Sequence, residues 1–237
     1  MDSTVRTRAK TREKTRAARR APAPSTPPTV TPSTPSTVMA IPKGRVLTAI
    51  AERLSRAGVD RDLLLADDRT LVRDDPGSGI RFLLLKPDDV PTYVEYGAAD
   101  LGICGRDILL EREYDLYAPL DLGIGRCRMV VAGKPDQRSV PGRTLRVATK
   151  FTNIARRYFL GKGEQVDFVY VQGSVELGPI TGLSDVIVDL VESGETLRMN
   201  GLAELELICD VSAVVIVNRV ALKLKREPIA RLLSALE

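Results

Sequence analysis

The chain has 237 residues and 43% of them are hydrophobic, which is enough for one or two globular domains with buried cores. The formal net charge is +4, but residues 1–38 contain eight Lys or Arg and two acidic residues, so the remaining chain has a net charge of −2 and is not a basic nucleic-acid binder. The sequence contains no histidine, which excludes Ser-His-Asp triads, Cys-His pairs and histidine-ligated zinc.

The first 38 residues are predicted to be a disordered tail, rich in Arg, Lys and Thr and then in Pro, Ser and Thr. They contain no aromatic residue and almost no large aliphatic one, so they cannot bury enough surface to offset chain entropy. Three interpretations stay open: a start-site artefact with Met39 as the true start, a real extension of unknown role, or an organelle transit peptide.

From Met39 onwards, strand-like and helix-like segments alternate, which predicts an α/β protein with largely parallel sheets. Strands are expected at 39–42, 80–86, 100–104, 126–133, 145–150, 167–172 and 205–218. Helices are expected at 45–58, 87–98, 106–113, 153–163 and 219–237. The run 185–192 is ambiguous between strand and helix, because its periodicity fits both.

The late strand at 205–218 returns after a middle block, which predicts two lobes joined by two crossings. We expect residues 39–127 plus 212–237 in the first lobe and residues 128–211 in the second. Ligands of open α/β sheets bind at the carboxyl ends of the strands, so the site is expected in the cleft between the lobes. No apolar run is long enough to span a membrane, and the N-terminus does not resemble a secretory signal.

A basic turn follows the first predicted strand, at Lys43, Gly44 and Arg45. Free amides at a helix start and two cations favour an anion, while the alternative is a solvated basic loop. The stretch "DLGICGRD" places Asp107 after a buried strand, either as a helix N-cap or as an acceptor for a sugar or base. Cys104 in the same stretch is interpreted as a buried filler, because no histidine can activate it.

Two further stretches carry cations beside predicted strand ends. In "DLGIGRCR", Arg126 follows two glycines, and it belongs either to a hinge with surface arginines or to a leaving-group contact. In "ATKFTNIARRYF", Lys150 ends a strand and Asn153 is expected to cap the helix that follows. Both stretches also fit a purely structural interpretation.

The stretch "DLVESGETL" joins Asp189 to a small-residue turn that opens a helical pattern. Amides and hydroxyls of such a turn can hold a dianionic phosphate, and Asp189 can accept from sugar hydroxyls. A turn with no ligand is the alternative. The turn residues are Glu192, Ser193, Gly194, Glu195 and Thr196.

These stretches, in this order, resemble ATP phosphoribosyltransferases, the first enzymes of histidine biosynthesis. "ELGPITGLSDVIVDLVESGETL" resembles the family's most specific signature, and the likeness covers essentially all of Met39 to Glu237. The chain resembles the short form, which works with a regulatory subunit similar to a histidyl-tRNA synthetase catalytic core. The resemblance implies two lobes similar to type II periplasmic binding proteins, with the active site in the interlobe cleft.

The implied reaction transfers the phosphoribosyl group of phosphoribosyl pyrophosphate (PRPP) to N1 of the adenine of ATP and releases pyrophosphate. The implied cofactor is Mg²⁺, held through substrate phosphates with no protein ligand assigned, and a homodimer within a hetero-oligomer is expected in the cytoplasm. Neither nucleic acid nor membrane is expected as a partner. The alternative is a small-molecule binding protein of the same fold without catalysis.

The resemblance also implies roles for individual residues. Asp189, Arg126 and Lys86 are the expected catalytic residues. The 5′-phosphate and ribose of PRPP are expected to contact Asp185, Asp189, Glu192, Ser193, Gly194, Glu195 and Thr196. ATP and pyrophosphate are expected to contact Lys43, Gly44, Arg45, Arg69, Asp107 and Lys150. The chain departs from the family pattern at Lys86, Thr152 and Gly178, where Arg, Pro and Ala are common.

Overall fold

A computed structural model describes residues 37–136 and 143–237 of the chain. The predicted disordered tail lies outside the described residues except for its last two positions. Thr37 and Val38 belong to the first strand, so the prediction of disorder is wrong for these two residues. Thr37 is buried and pairs with Ile80, and the Val38 N–H donates to the Asp100 carboxylate at 2.8 Å.

Eleven strands and nine α-helices are present in the described ranges. The strands are β1 Thr37–Pro42, β2 Val72–Asp75, β3 Ile80–Leu85, β4 Leu101–Gly105, β5 Leu116–Asp121, β6 Cys127–Gly133, β7 Leu145–Thr149, β8 Val166–Tyr170, β9 Val186–Val191, β10 Ala203–Val211 and β11 Ala213–Asn218. The helices are α1 Leu47–Ser55, α2 Arg61–Leu65, α3 Val90–Glu95, α4 Arg106–Glu111, α5 Thr152–Gly161, α6 Leu177–Thr181, α7 Glu195–Met199, α8 Arg219–Leu224 and α9 Arg226–Leu236, with a 3₁₀ turn at Pro87–Asp89.

The strands form two sheets, one for each lobe. The six-stranded sheet has the order β2-β3-β1-β4-β11-β5, and the five-stranded sheet has the order β10-β6-β9-β7-β8. Within the described part of the chain, four strand pairs are parallel and five are antiparallel. The α/β class is therefore confirmed, but the prediction of largely parallel sheets is wrong, because β6, β10 and β11 run back against their neighbours.

Each sheet is covered on both faces by apolar side chains. Met39, Phe82 and Ile103 lie on one face of the first sheet against α1 and α9, and Ala40 and Ile216 lie on the other face against α3. The second sheet has its own pair of cores, one around Met129 and α5 and the other around Ile187 and α7. Burial on both faces explains the nearly continuous apolar runs of the central strands.

The apolar run 205–218 was predicted to be one strand, and this prediction is wrong. The chain forms β10 in the second sheet and β11 in the first, separated by Ser212 alone. The two halves have different patterns, since β10 alternates with exposed acids at an edge whereas Ala213–Val217 is fully buried. Apolar content hides this break, because a half-buried edge strand and a central strand share the same residue types.

The ambiguous run 185–192 is a strand, β9, which lies between β6 and β7. The expected strands at 80–86, 100–104, 126–133, 145–150 and 167–172 are confirmed within two residues. The sequence did not predict α2, β2, β5 or α6, which are short and have weak periodicity. Two helix caps were assigned wrongly: α4 has Gly105 as its N-cap and α5 has Phe151, so Asp107 and Asn153 lie inside the first turns.

Two crossing segments connect the sheets, residues 122–126 and Ser212. Residues of the first crossing are hydrogen-bonded to Ala213, the residue of β11 that follows Ser212, with Leu122 N–H donating to Ala213 O at 2.9 Å and Ala213 N–H donating to Ile124 O at 2.8 Å. The Ser212 hydroxyl donates to Asp121 at 2.7 Å and holds the pKa of that carboxyl below its usual value. The crossings therefore act as one paired connection. Across the described residues, none of the helices is both long and apolar enough to cross a membrane.

Candidate functional site

A cavity between the two sheets, here the central cavity, has a volume of about 260 Å³. It lies where the carboxyl ends of β1, β3, β4 and β7 meet the crossing segments, which is where α/β sheets commonly bind ligands. Both sheets contribute to it. Its walls are Pro42, Lys43, Arg45, Val46, Pro87, Asp88, Cys104, Gly105, Asp107, Ile108, Ile124, Gly125, Cys127, Lys150, Leu190, Val211, Ser212 and Ala213.

A second cavity of about 200 Å³, here the loop pocket, adjoins the central cavity and shares Arg45 and Leu190 with it. The loop after β9 forms most of it. Gly194 has a φ of 76°, a left-handed conformation that glycine adopts without strain, and it begins the short helix α7. The remaining walls are Glu176, Ile187, Asp189, Val191, Glu192, Ser193, Glu195, Thr196 and Leu197.

Two carboxyl groups face these cavities, the buried Asp107 and the half-buried Asp189. Burial raises the pKa of Asp107, and the Lys150 ammonium opposes that rise. Burial also raises the pKa of Asp189, opposed by the hydrogen bond from the Leu190 N–H and increased by the Glu176 carboxylate. The positive charge of Lys150 lowers the pKa of both carboxyl groups and so partly offsets the effect of burial.

Lys150 is held at the carboxyl end of β7 by its neighbours in sequence. The Thr149 hydroxyl donates to Val188 O at 2.7 Å and accepts from the Phe151 N–H at 2.8 Å, both buried. The Lys150 ammonium lies 4.7 Å from the centre of the Phe151 ring. The turn that carries this cation is therefore fixed on the sheet side.

An ion pair between Arg45 and Glu192 links the turn after β1 to the loop after β9. The side chains are 67% and 57% exposed, so solvent screens the pair and it adds little to stability. Its importance is positional, because it joins the two sheets at the mouth of the loop pocket. It also engages one of the acids that would otherwise repel an anion there.

The structure brings together Lys43, Arg45, Asp107, Lys150, Asp189 and the loop 192–196, with Gly44 in the same turn as its cations. Lys86 lies in an adjoining side pocket of about 460 Å³, which shares Lys150 with the central cavity. Arg126 lies in a pocket behind the crossings, with its guanidinium against Gly123.

Two expected site residues lie elsewhere. Asp185 precedes β9, at the end of that strand opposite to the loop pocket, and accepts from Arg146 N–H at 2.9 Å and from Arg143 at 3.0 Å. Arg69 is exposed in the loop between α2 and β2 and lines none of the cavities described above. The sequence could not exclude Asp185, because four residues of a strand span about 13 Å and spacing alone does not say which end faces the ligand.

Sequence reasoning missed three contributors to the site. Asp88 lies at the central cavity, Glu176 lies at the loop pocket, and Glu111 contacts the first turn of α5 from the other lobe. Glu176 stood inside the signature stretch and could have been selected from it. No local pattern distinguishes Glu111 from the other acids of "ERE", because its partner is more than 40 residues away.

Cys104 is the buried filler that was predicted, being 1% exposed at the end of β4. Burial raises the pKa of its thiol to about 12, so the reactive thiolate is scarce at neutral pH. We expect Cys104 in the native protein to resist iodoacetamide at pH 8, while urea-unfolded protein is alkylated at all three cysteines. Mass spectrometry of the tryptic peptides measures this, and rapid native labelling of Cys104 would contradict the assignment.

The described residues contain no group of three or more His, Cys, Asp or Glu side chains arranged to hold a metal ion. The cavities instead combine cations with isolated carboxylates. Fold and site together define a class: a two-lobed α/β protein similar to type II periplasmic binding proteins, with its ligand cavity between the lobes. The predicted fold class is confirmed.

The chain belongs to the ATP phosphoribosyltransferase family. The family model described as HisG: ATP phosphoribosyltransferase matches residues 86–237. It is 53% identical to an ATP phosphoribosyltransferase of Sorangium cellulosum over 198 residues, which is 84% of this chain and 93% of the relative. It is 51% identical to the enzyme of Caldanaerobacter subterraneus over 191 residues, which is 81% of this chain and 91% of that one.

A solved structure with the same fold is the ATP phosphoribosyl transferase (HisG:HisZ) complex from Thermotoga maritima. The TM-score is 0.73 at 39% identity, with 84% of this chain and 96% of that chain covered. The resemblance seen in the sequence is thereby confirmed. The chain is a pentosyltransferase of the first step of histidine biosynthesis.

Proposed function

We propose that this chain transfers the phosphoribosyl group of PRPP to N1 of the adenine of ATP in the central cavity, releasing pyrophosphate. One observation carries the assignment of the site. The loop pocket opens beside the central cavity and shares Arg45 and Leu190 with it. A 5′-phosphate held by the loop therefore leaves the ribose next to the cavity that receives the nucleotide.

The loop of residues 193–196 holds the 5′-phosphate through its backbone amides and the hydroxyls of Ser193 and Thr196. The acids of the loop do not oppose this role. Glu192 is paired with Arg45, and Glu195 lies 3.8 Å from Arg198, which neutralises part of its charge. Asp189, which lines the loop pocket, accepts from the ribose hydroxyls.

The cations around the central cavity receive the triphosphate and the pyrophosphate. Lys43 and Arg45 come from the turn at Gly44, and Lys150 comes from the facing lobe. Asp107 accepts from the nucleotide. Lys86 and Arg126 stay candidates for the pyrophosphate, and each lies one pocket away from the central cavity.

The reaction suits a chain without histidine. N1 of adenine is unprotonated at neutral pH, so it attacks the anomeric carbon without a strong general base, while the bond to pyrophosphate breaks. The protein contributes position and charge: it aligns two substrates and stabilises an oxocarbenium-like centre and its anionic leaving group. We propose Mg²⁺ as the divalent ion, bound to the substrate phosphates and supplying charge neutralisation there.

We also propose that the chain works as a homodimer within a hetero-oligomer that contains a regulatory subunit. The Thermotoga maritima relative is described as a HisG:HisZ complex, which supports such a partner. The partner would resemble a histidyl-tRNA synthetase catalytic core. A cytoplasmic location fits an enzyme that consumes ATP and keeps three free cysteines.

The full chain, ATP, PRPP and Mg²⁺ are mixed with and without the candidate regulatory subunit, and phosphoribosyl-ATP is measured by its absorbance and by mass spectrometry. We expect product that requires both substrates. Calorimetric binding of either substrate with no product under both conditions would instead favour the small-molecule binding protein.

Thr196→Ala is expected to raise KM for PRPP by about 10- to 100-fold, because it removes a hydroxyl donor to a charged phosphate. Thr196→Ser keeps the hydroxyl and should retain most of the affinity. Thr181→Ala is the matched control, since that hydroxyl donates to Leu177 O at 2.8 Å at the end of α6. Steady-state kinetics measure all three, and equal KM values for Thr196→Ala and Thr181→Ala would refute the phosphate loop.

A further inference from the structure

One side chain of the first lobe caps a helix of the second. Glu111 is the last residue of α4, and its carboxylate accepts from the backbone N–H of Asn153 at 3.0 Å and of Ile154 at 3.0 Å. The Thr152 hydroxyl is 3.4 Å from the same carboxylate. The Glu111 carbonyl accepts from the Asn153 side chain at 3.0 Å.

Helix α5 has no cap of its own. Its N-cap position is occupied by Phe151, whose apolar side chain accepts no hydrogen bond from the helix. The first N–H groups of a helix have no partner within it, and a carboxylate there also interacts favourably with the helix dipole. Glu111 therefore provides, from the facing lobe, the hydrogen-bond acceptor for the first N–H groups of α5 that the N-cap residue Phe151 cannot provide.

This cap lies at one end of a short connection between two residues of the central cavity. Helix α4 carries Asp107 in its first turn and Glu111 at its end. On the other side, only Phe151 and Thr152 separate Lys150 from Asn153, the first residue whose N–H is capped. The Glu111 cap is therefore one of the contacts that position Lys150 relative to Asp107, together with the hydrogen bonds of Thr149 on the sheet side.

We propose that Glu111 is a positioning residue, which fixes the start of α5 and thereby holds Lys150 opposite Asp107 for the nucleotide. The assignment of the nucleotide to Lys150 rests on the proposed function above. Glu111 lines the side pocket that also contains Lys86 and Lys150, but its carboxylate oxygens are engaged by the N–H groups of Asn153 and Ile154. In this proposal its effect on ATP passes through Lys150, and that requirement separates it from a residue that only stabilises the fold.

The test compares Glu111→Ala, Glu111→Gln and the matched control Glu113→Ala, each in the wild-type chain and in Lys150→Ala. Glu113 is an exposed carboxylate two residues further on, outside the cavities described above. Three quantities are measured: the dissociation constant of ATP by calorimetry, kcat and KM for ATP, and amide hydrogen exchange at Asn153 and Ile154.

We expect Glu111→Ala to weaken ATP binding and to lower kcat/KM for ATP by about 10-fold, the scale of a lost helix cap. Exchange at Asn153 and Ile154 should accelerate by a similar factor, and Glu113→Ala should change none of these quantities. Glu111→Gln retains one acceptor oxygen and should fall between the two. In Lys150→Ala, the further loss on adding Glu111→Ala should be less than about 2-fold, because coupled sites are not additive.

Full additivity of the two substitutions would overturn the proposal, since Glu111 would then act independently of Lys150. Unchanged exchange at Asn153 and Ile154 in Glu111→Ala would overturn it as well. If the wild-type chain makes no phosphoribosyl-ATP, the proposed function fails, while the exchange and ATP-binding measurements still decide the role of Glu111. Should Glu111→Ala fail to fold, the same comparisons are made with Glu111→Gln.

Discussion

Asp189→Ala is expected to lower kcat/KM for PRPP by about 100-fold while leaving the protein folded, because a charged acceptor of the ribose hydroxyls is lost. The carboxyl is half-buried, and among the described residues it accepts a hydrogen bond from the neighbouring Leu190 N–H at 2.8 Å. The folded state therefore gains little from the charge. Steady-state kinetics and urea unfolding of the same preparation measure the two effects separately.

The difference in unfolding free energy between Asp189→Asn and the wild type should depend on pH. Burial raises the pKa of Asp189 above 3.8, so the folded chain binds the proton more tightly than the unfolded chain does. The stability contributed by this group is full below pH 3.8 and is lost as pH rises through the folded pKa. Asp189→Asn should therefore exceed the wild type most clearly near neutral pH, with the difference shrinking towards about pH 4.

Asp185→Ala is the matched control, because Asp185 directly precedes the same strand. It is expected to lower stability and to leave activity unchanged. That carboxylate accepts from Arg146 N–H and from Arg143, and its side chain is 12% exposed. Its removal leaves a backbone donor unpaired and should cost about 1–3 kcal/mol of unfolding free energy. Its kcat/KM should stay close to that of the wild type. If Asp185→Ala lost activity and Asp189→Ala kept it, the orientation of β9 in the site would be wrong.

Gly102→Ala should destabilise the protein by about 1–3 kcal/mol through overpacking. A Cβ at this position would lie 2.9 Å from Ala40 O, from Val90 and from Val94. Those atoms belong to the adjacent strand β1 and to helix α3, so relief requires the helix to move away from the sheet. Chemical unfolding measures the loss.

Gly161→Ala provides the control for the same chemical change. This glycine ends α5 with no atom within 4 Å of a Cβ, so alanine should be neutral or stabilising by about 0.5 kcal/mol. Equal effects at the two positions would contradict the close approach of α3 to β4. The pair separates steric contact from helix or strand propensity.

The sequence was sufficient for the strands whose apolar runs are bounded by turn residues, such as Leu101–Gly105 and Leu145–Thr149. It was not sufficient where two elements share one pattern. The run that contains β10 and β11 changes sheets at Ser212, and nothing in its hydrophobicity marks the change. The position of the break depends on contacts between the two crossings, such as the hydrogen bond from Ser212 to Asp121, which joins segments about 90 residues apart.

For the site too, the sequence was sufficient for some residues and not for others. Residues adjacent to a strand end, such as Asp107 and Lys150, were found because position along a strand predicts position in the cleft. Asp185 was expected beside the ribose or the 5′-phosphate but lies at the end of β9 away from the loop pocket, because chemistry and proximity in sequence do not distinguish the two ends of the strand. Glu111 was missed because its role is defined by Asn153 and Ile154, which only the folded chain brings to it.

The placement of β11 has a consequence for synthesis of the chain. All strands of the second sheet lie between residues 127 and 211, so that sheet is complete before β11 has been made. The first sheet begins earlier but lacks an interior strand until residues 213–218 are available. Because domains fold as units once their contacts exist, we expect the second lobe to fold first on the ribosome, with the first lobe incomplete until residues 213–218 have emerged.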